Sequence, residues 1–447
     1  RDAALERSRG AGPSPAALSN ARRDDNYEYR LGRIKHERVK VNRSEEHLLE
    51  QAIRLLRFHA EKKAILEIEY VGEEGTGLGP TLEFYALVAA ELQRKALALW
   101  MCDDLDESAA HLKHSDEAAQ ELDLGEGKKP PGYYVRRPCG LFPAPLPPHS
   151  DEARRAAELF RVLGIFLAKV LQDGRLVDLP LSGPFLKLIA HPALASHYPA
   201  SLEGVLSLDD FEEVHPVKGR FLKELTTLIA RKRSIESDAS MDRVTKRRRL
   251  EELTLCVNGT KCRIEQLGLN FTVNPPSTVF NYDEMELIEG GADIDVTLQN
   301  VELYVDKCKD FYLNSGIHEQ MVAFREGFDH VFSLSALRSF SPEEIQRLIS
   351  GEQCPEWTRQ DVVDFTEPKL GYTRESPAFL RFVDVLVEMT AAERKRFLQF
   401  ATGCSTLPPG GLANLHPRLT IVRKVESGDG SYPSVNTCVH YLKLPEY

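Results

Sequence analysis

Eight cysteines and thirteen histidines are the residues through which this 447-residue chain could do covalent or metal chemistry. No C-x-x-C pair occurs, and the two nearest cysteines are Cys256 and Cys262. That spacing excludes a zinc ribbon and a disulfide scaffold, and the thiols read as free in a reducing compartment. The histidines form no H-x3-H or H-E-x-x-H pattern, and His111 and His114 fall in an acidic stretch. No metal site and no cofactor is therefore expected. Most of the thiols read as small buried hydrophobes. Cys438 differs, because it closes the irregular polar run Tyr432-Pro433-Ser434-Val435-Asn436-Thr437 just before a strand-like segment. A thiol at such a loop–strand junction can be approached by another molecule. Cys404, in Thr402-Gly403-Cys404-Ser405 and closer to a helix end, is its rival.

A cysteine hydrolase would need a histidine and an Asn or Asp partner in space. His440 follows two residues on, on the same strand face, and His416 lies upstream in a Pro-containing loop, but neither spacing is diagnostic. His440 reads more readily as a surface strand residue. Exchange of an acyl group between thiols asks for less. Attacking and leaving thiols have similar pKa values, so the step needs an accessible thiolate and a delivered donor more than a buried triad.

The elements that must position these residues are ordinary ones. With 42% apolar and 28% charged residues the chain has soluble globular composition. Its length suggests two to four domains. A net charge of −11 argues against nucleic acid as the main partner. Apolar stretches such as Val162–Ala168 fall far short of the roughly 18 residues of a membrane span, so no membrane is expected either. The chain opens on Arg1 without a charged-then-apolar leader, which reads as a piece of a longer protein.

Residues 1–30 read as a disordered or weakly helical lead-in, and residues 103–129 as an acidic surface insertion. A helix is predicted from an N-cap at Ser44 through Leu48, Ala52, Ile53 and Leu56, and a half-exposed strand over Leu66–Tyr70. Gly75, Gly77 and Gly79 lack the G-K-[ST] ending of a phosphate loop and read as a backbone turn. Pro143, Pro145, Pro147 and Pro148 read as a connector rather than a docking motif. A long buried helix is predicted over Asp151–Gln172, strand-like pieces over Leu267–Val273, and helices over Val301–Phe311, Pro377–Met389 and Ala392–Phe400. Strands at Leu419–Val425 and Val439–Leu444 flank a turn at Ser427–Gly430. The basic residues between Arg231 and Arg249 suit a nuclear-import signal or, more blandly, a solvated helix face. Gly351–Glu356 is a candidate linker.

Several of these segments, in this order, carry a resemblance. Gly75–Tyr85 (GTGLGPTLEFY), Leu163–Pro180 (LGIFLAKVLQDGRLVDLP), Phe324–Phe328 (FREGF), Gly371–Ser376 (GYTRES) and Leu398–Gly411 (LQFATGCSTLPPGG) precede Asn436-Thr437-Cys438 and Leu444-Pro445-Glu446-Tyr447. From about Arg38 onward the chain resembles the catalytic domain of HECT-type E3 ubiquitin ligases. The resemblance implies an α+β, bilobal fold. A large, mainly helical N-lobe over 38–350 would contain a conjugating-enzyme-binding subdomain at roughly 200–310. A hinge at Gly351, Glu352, Gln353, Cys354, Pro355 and Glu356 would lead into a smaller α/β C-lobe over 357–447, after a lead-in over 1–37.

It also implies that Cys438 accepts ubiquitin from a conjugating enzyme as a thioester and passes it to a substrate lysine, with Thr437 and Asn436 in the supporting loop. The conjugating-enzyme groove would draw on Leu222, Leu225, Leu269 and Tyr304. The implied partners are ubiquitin, the conjugating enzyme and substrates held by upstream domains, in the cytoplasm with the nucleus as a second compartment. The family's last helix and phenylalanine-bearing tail would follow Tyr447, and Glu426, Asp429 and Glu446 read as solvated charges rather than acid–base partners. The alternatives are a cysteine hydrolase of ubiquitin-like conjugates and a non-catalytic module that binds conjugating enzyme.

Overall fold

The computed structural model describes residues 35–43, 47–73, 77–102, 132–194, 201–257, 259–352, 355–424, 432–437 and 439–445. Two hydrophobic cores form, the first with its last buried apolar side chain at Ile349 and the second beginning at Trp357.

The first core is built on two helices. In α3 (Asp151–Gln172) the Ser150 hydroxyl accepts from the Ala153 amide at 3.0 Å, and Asp151 and Glu152 lie in the first turn, where the helix dipole favours negative charge. Phe160, Leu163, Phe166, Leu167 and Val170 are all buried. Against them packs α9 (Gly316–Asp329), which continues α8 (Val301–Asp310) through one π-helical turn at Phe311–Ser315. A Cβ on Gly164 would run into the Phe324 carbonyl, and one on Gly327 into the Arg161 carbonyl. Glycine inside a helix costs about 1 kcal/mol relative to alanine, so both residues are explained by the backbone approach they allow. Gly327→Ala should lower stability by about 1–3 kcal/mol through overpacking, read as a fall in the urea midpoint. An unchanged midpoint would mean that the two helices are not in contact there.

Around this pair, β1 (His36–Val41) and β2 (Ile65–Tyr70) run parallel, joined by α1 (Leu48–His59), and α2 (Leu78–Glu91) follows. The cap of α1 is His47, not Ser44, which lies outside the described residues. Gly77 has φ +94 and opens α2, the Thr81 hydroxyl donates to its carbonyl at 2.9 Å, and Arg43 binds both Glu73 and Glu83. The Tyr85 hydroxyl donates to Asp173 at 2.7 Å, and the same carboxylate oxygen accepts from the Leu66 amide at 3.2 Å. The two leading motifs therefore meet inside the core. Pro143–Leu146 is buried, with the Leu146 amide donating to Gly316 at 2.8 Å, as suits a connector.

α4 (Gly183–Ala190), α5 (Leu208–Val214), α6 (Pro216–Ser237) and α7 (Arg243–Glu251) come next, then the small hairpins β3 (Leu255–Val257) with β4 (Thr260–Cys262) and β5 (Thr272–Val273) with β6 (Met285–Glu286). Of the strand-like stretch 267–273, Thr272 and Val273 form a strand and Asn270 makes an isolated bridge to Asp295, while Ile264–Leu267 is a 3-10 turn ending at left-handed Gly268. α7 buries no residue, and Arg247 and Arg248 pair only with Glu251 and Glu252 one turn on. α10 (Pro342–Ser350) closes the first core.

In the second core α11 (Arg359–Phe365), α12 (Pro377–Glu388) and α13 (Ala391–Thr402) accompany a four-stranded sheet of order β7-β8-β10-β9. β7 is Glu367–Lys369, β8 Thr420–Arg423, β9 Ser434–Asn436 and β10 Tyr441–Leu444. β7, β8 and β10 are parallel, and β9 is antiparallel to β10. The Tyr372 hydroxyl donates to the Leu444 carbonyl at 3.0 Å, joining two more of the sequence motifs. The run before Cys438 is thus partly a strand, and the last strand starts at Tyr441 rather than Val439 because Val439 and His440 form a turn.

Candidate active site at the end of the second sheet

Cys438 lies outside the described residues, but both its neighbours are described. Asn436 pairs with Tyr441 across β9 and β10, so the two strands form a hairpin whose described loop residues are Thr437, Val439 and His440. Thr437 lies against the end of α13, 3.9 Å from where a Cβ on Gly403 would stand, and Val439 is 40% exposed.

His440 is neither a surface strand residue nor on a strand face. It is 4% exposed with φ +48, its Nδ1–H donates to the Pro417 carbonyl at 2.5 Å, and its own carbonyl accepts from the Thr420 amide at 2.8 Å. Burial pushes the imidazole below its ordinary pKa, against the smaller opposing effect of the Pro417 bond. A neutral ring donating through Nδ1 to a backbone carbonyl is a structural histidine. His416 is exposed on the loop beside it.

The rival Cys404 follows Gly403, whose φ of +79 ends α13. Its amide donates to the Thr402 hydroxyl at 3.2 Å and its Sγ lies 3.4 Å from the Thr406 hydroxyl. Burial pushes this thiol up, the Thr406 hydroxyl opposes that, and Asp178 adds to it. Because the thiolate is the nucleophile, this environment weakens Cys404 as one. Across a narrow cleft from Gly403–Ser405 stand Gln93, Arg136 and Asp178 of the first core. There Arg136 donates to the Gln93 side chain at 2.8 Å, and Gln93 donates to the Asp178 carbonyl at 2.8 Å.

Gly351 touches both cores. Its φ is +69, a Cβ there would run into the Leu407 carbonyl and stand 3.1 Å from Leu176, and the Glu352 amide donates to Leu407 at 2.7 Å. Pro355 is buried and Glu356 exposed, while Gln353 and Cys354 lie outside the described residues, as do Glu426, Asp429 and Glu446.

The four side chains expected to form a groove are not brought together on a surface. Leu222 and Leu225 lie on the inner stripe of α6, and Tyr304 is buried edge-on against Phe271 at 5.6 Å. Only Leu269 reaches solvent, half-buried. The apolar residues that do face out here are Leu303, 45% exposed, and Ile294, 37% exposed. Leu303 was readable from the helical period, since it falls outside the stripe Val301, Tyr304, Val305 and Cys308. Among the described residues no His, Cys, Asp and Glu cluster suits a metal ion, and no helix is long and apolar enough to cross a membrane.

Comparison with known proteins gives the arrangement a family. The model of the HECT-domain (ubiquitin-transferase) family matches residues 87–447. The chain is 69% identical over 448 residues to the Caenorhabditis elegans E3 ubiquitin-protein ligase hecd-1, covering all of this chain and 17% of that protein. It is 46% identical over 486 residues to the Drosophila melanogaster E3 ubiquitin-protein ligase Ufd4, again 100% of this chain and 17% of the relative. With the Danio rerio E3 ubiquitin-protein ligase TRIP12 the identity is 37% over 425 residues, 93% of this chain and 19% of the relative. The chain thus spans less than a fifth of the length of these relatives.

Proposed function

The chain belongs to the HECT-domain (ubiquitin-transferase) family, and on that premise we propose that it carries the catalytic step of a HECT-type E3 ubiquitin-protein ligase. The Cys438 thiolate attacks the acyl carbon of ubiquitin held as a thioester on a conjugating enzyme. A new C–S bond forms, the old one breaks, and the conjugating enzyme's sulfur leaves as a thiolate that takes up a proton from water. A substrate lysine amine then attacks the same carbon, forming the isopeptide C–N bond and releasing Cys438. The observation that carries this reading is the end of the β9–β10 hairpin, with Val439 open to solvent and Thr437 half-buried beside Gly403 on either side of Cys438 in the chain. Asn436 and Thr437 shape the approach to the thiol. The hydrolase alternative loses His440 as its base, since that ring is buried and bonded to Pro417.

In this proposal the two cores are lobes, the N-lobe over 38–350 and the C-lobe over 357–447, joined by a hinge at 351–356. Thiol exchange needs reacting atoms within about 3–3.5 Å, so one rigid arrangement would not serve both the conjugating enzyme and an acceptor lysine. The conjugating enzyme docks on the 200–310 region through Leu269, Ile294 and Leu303, with Leu222, Leu225 and Tyr304 shaping that surface from beneath. Substrates are chosen by other parts of the full-length protein.

The test is discharge of a ubiquitin-loaded conjugating enzyme by this chain, with and without reducing agent. In the same assay Leu303→Asp should slow loading with the melting temperature unchanged. Tyr304→Ala should lower the melting temperature, because emptying a buried aromatic site costs about 3–5 kcal/mol. Wild-type loading by Leu303→Asp would remove this surface from the docking site.

A further inference from the structure

We infer that His440 is a positioning residue for the acyl transfer: its buried imidazole bonds Pro417 and so fixes the backbone that follows Cys438 in the chain, acting through it. The inference rests on Cys438 being the ubiquitin carrier. Around His440 the hairpin is open, with Asn436 and Val439 exposed and Thr437 half-buried. A polar side chain in a surface hairpin loop ordinarily stays in water, yet this ring is 4% exposed. Its backbone sits in the left-handed region, at φ +48, which histidine enters less readily than glycine.

Both unusual features are held by one neighbouring segment. The ring donates to the Pro417 carbonyl at 2.5 Å, and the His440 carbonyl accepts from the Thr420 amide at 2.8 Å, at the entry to β8. One residue, two positions after the thiol in the chain, is therefore fastened twice to the segment from Pro417 to Thr420 that leads into β8. Burial also keeps the ring neutral, so the anchor is an uncharged donor to a carbonyl. Thiol exchange tolerates little displacement of the attacking sulfur, so a loosened turn lowers the maximal rate and not the affinity for the donor.

The experiment is single-turnover loading of the 447-residue chain across a range of ubiquitin-loaded conjugating enzyme concentrations, for wild type, His440→Asn, His440→Ala and His440→Gly. Asparagine accepts a left-handed backbone and has an N–H to offer Pro417, so it should load within about twofold of wild type. Alanine and glycine lack the donor and should lower the maximal rate on the order of tenfold or more, at an unchanged half-saturating concentration. If His440→Ala fails to fold, His440→Gly, which takes φ +48 without strain, is compared with His440→Asn. Wild-type maximal rates in the glycine variant, or an asparagine variant as slow as it, would overturn the inference. Cys438→Ala run alongside keeps the two claims apart. An adduct that survives it refutes the carrier, whereas its loss together with fast His440 variants refutes only the positioning role.

Discussion

Cys438→Ala should abolish the reductant-sensitive ubiquitin adduct outright, and Cys404→Ala should leave it in place. The expectation follows from what each thiol needs in order to ionise and be reached. Cys438 stands in the chain between half-buried Thr437 and exposed Val439, which lie at a sheet end that a bulky thioester donor can approach. Cys404 sits against the Thr406 hydroxyl at the end of α13, where burial raises its thiol and the facing wall of Gln93, Arg136 and Asp178 narrows the access. A thiol whose ionisation and access are both reduced loads more slowly on two counts. Loading followed on non-reducing gels is the measurement. Loss of the adduct in Cys404→Ala alone would reverse the assignment.

Gly351→Pro combined with Glu352→Pro should slow transfer to Cys438 by about tenfold or more and leave the affinity for the conjugating enzyme unchanged. Proline fixes φ near −65°, whereas Gly351 sits at +69°, and added carbon atoms there would meet the Leu407 carbonyl. A proline at 352 also removes the amide that donates to Leu407 at 2.7 Å. The pair therefore breaks the backbone bridge between residue 352 and Leu407 of the second core instead of stiffening it, at a local cost of about 3 kcal/mol or more. Docking is spared, since the first core is complete by Ile349. Binding by titration and loading by single turnover separate the two effects. Wild-type transfer in the double variant would exclude 351–352 as the pivot. The neighbouring turn at Leu370 and Gly371 does not replace it, because β7 is already paired to β8 there.

Much of this was legible in the sequence because long periodic segments have one way to bury their apolar face. The helix Asp151–Gln172 was readable to the residue, and α12 and α13 nearly so. The two hydrophobic cores part between Ile349 and Trp357, the interval that holds Gly351–Glu356. Three-residue strands such as β7 and β9 carry too little alternation to register, and their pairing depends on partners far along the chain. His440 was misread for the same reason. Spacing placed it on a strand, whereas a left-handed turn and a carbonyl more than twenty residues away turned its ring inward. The groove residues Leu222, Leu225 and Tyr304 were apolar at helical spacing, which marks a buried stripe, and they lie in one. The helix contact explains why two motifs carry Gly164 and Gly327.

The most direct measurement is to locate the acyl bond itself. Cys438→Ser should take ubiquitin from a loaded conjugating enzyme as an oxygen ester that resists reducing agent and is cleaved by mild alkali. Mass spectrometry of the protease-digested adduct is expected to find the ubiquitin remnant on the peptide containing residue 438. A remnant on the peptide containing Cys404, or a reductant-sensitive adduct that persists in Cys438→Ser, would contradict the assignment.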